Sequence, residues 1–143
     1  MKLLHKFIAA TLAVSLLAGC SSEPKKEGPP SDKYFILNVS KGLEARWELA
    51  DNEDTDSYSS AELQKAYTKF LKAETDAVGK ESKYKFKDKD LKKVADTYYK
   101  GLKLQEEGIQ YAGTDDYTNQ EKTWELGYNY RALAIHEFEK DYG

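Results

Sequence analysis

The chain has 143 residues, a third of them charged, with 22 basic against 25 acidic side chains and a net charge of −3. That balance excludes the strong positive field of a nucleic-acid binder, and it argues against electrostatic binding to anionic lipid headgroups. The single cysteine excludes disulfides.

Met1, Lys2 and Lys6 give a positive start, and Phe7 to Leu17 form an apolar run too short to span a bilayer. Small residues Ala18 and Gly19 then precede Cys20. Residues 1–19 therefore read as a secretory signal peptide. The stretch Leu17-Ala18-Gly19-Cys20 resembles the lipobox of bacterial lipoproteins. The resemblance implies diacylation of the Cys20 sulfur by palmitate-type chains, cleavage before Cys20, and an extracytoplasmic protein anchored to the cell membrane. Two acyl chains suffice for stable anchoring, where one is marginal. The lipid would consume the only cysteine and leave no thiol nucleophile or thiolate ligand. Cleavage would remove Lys2 and Lys6 but no acid, leaving 20 basic and 25 acidic residues, a charge of −5.

Residues 20–33 form the next segment. Ser21 to Lys33 is polar and holds all three prolines, which predicts a flexible tether. From Tyr34 onward proline is absent and helix formers dominate, and this domain of about 110 residues is long enough for one core. Four amphipathic helices are predicted. The first, about Asp32 to Ala50, aligns Ile36, Val39, Leu43, Trp47 and Ala50. The second, about Ser60 to Val78, aligns Leu63, Ala66, Tyr67, Phe70, Ala73 and Ala77. The third, about Asp88 to Tyr111, aligns Leu91, Val94, Ala95, Tyr98, Leu102 and Ile109. The fourth, about Thr118 to Asp141, aligns Trp124, Tyr128, Ile135 and Phe138. Asp32 and Asp88 suit N-cap positions of the first and third helices.

A repeat with an offset of 59 organises these helices. Lys41-Gly42-Leu43 recurs as Lys100-Gly101-Leu102, and Thr55-Asp56-Ser57-Tyr58 recurs as Thr114-Asp115-Asp116-Tyr117. Ser59 with Glu62, and Thr118 with Glu121, have capping-box spacing. Tyr58 and Tyr117 then fall where a hydrophobic staple would fold onto Leu63 or Lys122. The expected fold is all-α: a four-helix bundle built from two tandem helical hairpins, about 34–80 and 88–143, after the tether. The domain also resembles uncharacterised helical domains of Gram-positive lipoproteins and phage-encoded surface proteins, through KGLEARW, FKDKDLKKVADTYYKGL and EKDYG. That resemblance implies no activity and no site residues.

Catalytic chemistry finds no support. Acids from Asp51 to Glu62 span an EF-hand length, but Asp56 stands where the turn needs glycine; an acidic loop before a helix N-terminus is the better reading. His136 has no partner for a metal or nucleophilic site. No metal and no cofactor are expected. Tyr98, Tyr99, Tyr128 and Tyr130 fit core packing better than a stacking surface. Arg46 and Arg131 interrupt apolar stripes in a lysine-rich chain, so they either hold a carboxylate bidentately beside an aromatic ring or snorkel at the stripe edge. The sequence thus predicts a membrane-anchored, non-catalytic interaction module, serving surface exclusion or contact within an envelope complex. Its partner would be a protein, and Tyr58, Tyr117, Tyr99 and Tyr130 are the candidate contacts. The alternative is a lipoprotein binding a small ligand or cell-wall glycan in a tyrosine-lined groove.

Overall fold

The computed structural model describes residues 32–142. The signal segment, Cys20 and nearly all of the tether lie outside the described residues. Those described form an up-down-up-down bundle, with α1 at Asp32–Asp51, α2 at Ser60–Val78 and α3 at Lys89–Gly108. The last rod comprises α4 at Tyr117–Gln120, a π turn at Glu121–Glu125, and α5 at Leu126–Tyr142. Among the described residues there is no strand, and the fold is the expected all-α bundle of two hairpins.

Backbones approach most closely within each hairpin, α1 against α2 and α3 against α5. The repeated glycines explain this. A Cβ on Gly42 would lie 2.9 Å from the Glu74 carbonyl oxygen, and one on Gly101 would lie 2.6 Å from that of Gly127. The π turn belongs to the same contact: it widens the last rod where Thr123 and Trp124 meet Gly108, whose Cβ would lie 2.7 Å from the Trp124 nitrogen.

Large side chains fill the space between the hairpins. Phe35, fully buried, has edge-on contacts with Tyr84 and Phe86 at ring-centroid distances of 5.0 and 5.1 Å and also meets Tyr98, Tyr99 and Phe138. Burial of one such ring contributes about 1.5–3 kcal/mol, and each favourable ring pair about 0.5–1.5 kcal/mol more.

The core corrects three helix faces. In α1 the buried residues are Phe35, Val39, Ser40, Gly42 and Leu43, so the face is turned toward Phe35 and away from Ile36 and Trp47. In α2 they include Leu71, Glu74 and Val78, in place of Leu63, Ala73 and Ala77. In α5 Gly127, Arg131 and Ala134 join Ile135 and Phe138, while Trp124 and Tyr128 are half-buried. Only the α3 face matches closely.

Caps also differ between copies. Ser59 closes a full capping box with Glu62. In the second copy Thr118 is exposed inside the helix, and the cap is Asp116, whose carboxylate accepts from the Asn119 amide. Asp88 caps α3 through the amides of Asp90 and Leu91. Asp32 does not act on its own helix; its carboxylate accepts from the amides of Lys87 and Asp88, both at 3.0 Å.

Candidate functional site

Two regions concentrate unusual chemistry. The first is buried. Arg46 is four residues after Gly42, and Gln105 is four residues after Gly101, so they are equivalent positions of the repeat. Glu74 and Arg131 are the residues against which those two glycines pack. The four side chains close a ring. Arg46 Nη1 donates to Glu74 Oε2 at 2.9 Å, and Arg131 Nη2 pairs with Glu74 Oε1. Gln105 Oε1 accepts from Arg131 Nη1 at 2.6 Å and from Arg46 Nη1 at 3.3 Å. The Tyr98 hydroxyl adds a bond to Glu74 Oε1 at 2.8 Å.

Burial alone would push the Glu74 carboxyl up. The two guanidiniums overcome it and hold it down to about 2. Arg46 is lowered by burial and by the Arg131 charge, against the pull of Glu74. Burial and the Glu74 charge push the Tyr98 phenol well up, so it stays a neutral donor. Arg46 lies over the Trp124 ring at 5.8 Å, and Arg131 over Tyr98 at 6.0 Å. Trp124 in turn stacks on Tyr67 at 4.7 Å. Both arginines therefore hold the carboxylate beside an aromatic ring, each through a single nitrogen instead of the expected bidentate pair, and neither snorkels at the bundle edge.

The ring carries two positive charges against one negative. Two of its donors, Arg131 Nε and Gln105 Nε2, lack a hydrogen-bond acceptor among the described residues. Each costs roughly 1–3 kcal/mol. Its chemistry is that of a structural joint, in which one buried carboxylate is held by two guanidiniums and a phenol.

The second region is the end of the bundle away from Asp32. The 52–59 and 109–116 loops, which carry the repeated motif, meet there. Ser60 Oγ bonds the Gly113 carbonyl, and Gln64 Nε2 reaches those of Gln110 and Ala112 at 3.1 and 3.3 Å. The end is acidic, with Asp51, Glu53, Asp54, Asp56, Asp115 and Asp116 around it.

The candidate tyrosines separate here. Tyr117 is 71% exposed, because it opens a helix instead of preceding its cap. The staple predicted for it does not form. Tyr58 does precede its cap, is half-buried, and donates its hydroxyl to Glu53, which lowers that carboxyl. Tyr99 faces inward, with its ring on Phe35 and its hydroxyl bonded to the Gly79 carbonyl at 2.9 Å. Tyr130 is half-buried under Lys100, whose Nζ lies 2.9 Å from its hydroxyl. Leu126 and Leu133, 40% and 50% exposed, flank Tyr130 along the outer face of α5 and escaped the sequence reading. Their spacing of four and three residues around Tyr130 was the available signal.

In the Asp51–Glu62 stretch, Glu62 is engaged by Ser59, and Glu53 by Tyr58 and Lys69. His136 is exposed on α5. Among the described residues no cluster of His, Cys, Asp and Glu is arranged to hold a metal, and no helix is long and apolar enough to cross a membrane. Cys20 lies outside the described residues. Compared with protein-family models, curated proteins and solved structures, the chain matches none of them.

Proposed function

We propose that the protein is a membrane-anchored extracytoplasmic lipoprotein whose helical bundle is a non-catalytic interaction module. The observation that carries the interaction reading is the placement of Tyr117. It stands 71% exposed at the end of the bundle opposite Asp32, where the tether from Cys20 joins. Helices of twenty residues set those ends about 30 Å apart, so a protein anchored at Cys20 presents Tyr117 outward. Exposed aromatic residues are strong anchors for protein partners. Surface exclusion and contact within an envelope complex both use this geometry.

The tyrosines of the alternative groove have other partners. Tyr98 is fully buried on Glu74, Tyr99 donates to the Gly79 carbonyl, and Tyr130 lies under Lys100. This supports protein contact over a tyrosine-lined ligand site.

The anchor is tested by Cys20→Ala with a clickable palmitate analogue. Wild type should label and fractionate with membrane; the variant should do neither. A variant that keeps both label and membrane association sinks the reading. The contact face is tested by a photo-crosslinking residue at Tyr117 compared with one at Lys103. A discrete protein adduct only from Tyr117 is expected, and adducts of equal yield from both sites count against it.

A further inference from the structure

The segment joining the hairpins, Gly79 to Asp88, crosses the end of the bundle where α1 begins. Its middle alternates strictly: Lys83, Tyr84, Lys85, Phe86, Lys87. Tyr84 is buried in extended backbone, and its hydroxyl donates to the Val78 carbonyl and accepts from Asn38 Nδ2 at 2.9 Å. Phe86 is half-buried on Phe35. In an extended chain successive side chains point to opposite sides. Anchoring the two rings inward therefore turns Lys85 and Lys87 outward, while Lys83 closes a 3-10 turn with its ammonium 5.7 Å from the Tyr84 ring centroid; all three are exposed. Exposed Lys80 and Lys89 extend the row at either end.

Neighbouring acids offset this row only in part. Asp32 is bonded to the amides of Lys87 and Asp88, and Asp88 to the amides of Asp90 and Leu91 and the Tyr142 hydroxyl. Glu81 pairs with Lys92, and Asp90 with Lys93. Lys80, Lys83, Lys85, Lys87 and Lys89 make no ion pair among the described residues. The chain thus carries a basic end beside Asp32 and an acidic end around Tyr58 and Tyr117.

Asp32 lies twelve positions after Cys20, so a chain anchored at Cys20 holds the lysine row within about 40 Å of the bilayer. We propose that this row is a docking surface for an anionic lipid membrane, which it meets as a flat array of ammonium groups. The setting rests on the lipid-anchor reading, while the surface chemistry does not. Each lysine brought against such a surface raises partitioning about five-fold, and the attraction acts within a Debye length of about 8 Å at physiological salt.

The test uses the mature chain from Cys20 with Cys20→Ser, so that no acyl group contributes. Co-sedimentation is measured with phosphatidylcholine vesicles with and without phosphatidylglycerol. One variant carries Lys80→Gln, Lys83→Gln, Lys85→Gln and Lys87→Gln. A charge-matched control carries Lys41→Gln, Lys65→Gln, Lys103→Gln and Lys122→Gln. Circular dichroism confirms that both are folded. Wild type and control should bind only the vesicles containing phosphatidylglycerol, and added salt should release them. The strap variant should lose at least about tenfold. Equal losses in both variants, binding independent of phosphatidylglycerol, or a strap variant that binds as wild type each overturn the proposal. So does a strap variant that loses inorganic polyphosphate binding but keeps vesicle binding, since the occupant would then be a soluble polyanion. Failure here leaves the Cys20 labelling result untouched, and failure of labelling leaves this measurement interpretable.

Discussion

In the first hairpin Gly42 lets α1 approach Glu74, and in the second Gly101 lets α3 approach Gly127 and Arg131. The crossing is the same, but the charge beside it is reversed, and the position four residues on is Arg46 in one copy and Gln105 in the other. The difference teaches how a repeat becomes a single domain. Shared glycines set the helix spacing within each hairpin, and unshared polar residues make the hairpins complementary to each other.

The largest break in that comparison should come from Glu74. Glu74→Ala strands two buried guanidiniums and should cost about 3–5 kcal/mol in denaturant melts. Gln105→Glu sharpens the same point in the other direction. It balances the ring at two charges of each sign and replaces the donor that lacks an acceptor, and should raise stability by about 1 kcal/mol.

Acid probes the ring without a substitution. The Glu74 carboxyl titrates near 4.5 when unfolded and at about 2 in the bundle. Its folded value is depressed, so its contribution is complete above 4.5 and is lost as pH falls from there toward 2, a change of about 3 kcal/mol. Glu74→Gln should lack this component. The stability gap between wild type and Glu74→Gln should therefore narrow over that window, and a constant gap would count against the ring as drawn.

The glycines come next. Alanine gains helix propensity of about 1 kcal/mol at either site. At Gly101 the new Cβ would meet Arg131 Cγ at 2.5 Å and two backbone atoms within 2.9 Å. Gly101→Ala should therefore lose about 1–3 kcal/mol net. Gly42→Ala, whose nearest contact is 2.9 Å, should lose less. Thermal melts rank the two.

The smallest effect separates the caps. Ser59→Ala should cost about 1 kcal/mol. Thr118→Ala should stay within about 0.5 kcal/mol, because Asp116 caps that helix. Equal losses would restore the symmetric loop reading.

The sequence was most legible where periodicity and residue type agreed. Leu91, Val94, Ala95, Tyr98 and Leu102 form an unbroken apolar row, and α3 buries all five. Glu74 was invisible because a carboxylate inside an apolar stripe reads as solvent-facing, although it lies four residues from both Phe70 and Val78. Its signal was displaced onto the two arginines, which the sequence did single out. Phe35 was lost to Ile36 because both fit a helical stripe, and only the aromatic strap decides which one faces inward. Alignment with Ser59 marks Thr118 as a cap, but the second loop enters its helix earlier and the π turn absorbs the shift in register. The lysine row escaped because net charge averages over two ends of opposite sign.

A chain with two similar halves risks pairing a half with its own kind, either between molecules during synthesis or after partial opening. Two copies of the second hairpin would set Arg131 against Arg131 with no carboxylate between them. Two copies of the first would lack Arg131 and the Tyr98 hydroxyl. The four-residue ring closes only between unlike halves, so it selects against the second hairpin pairing with its own kind, which would bury guanidiniums without a carboxylate.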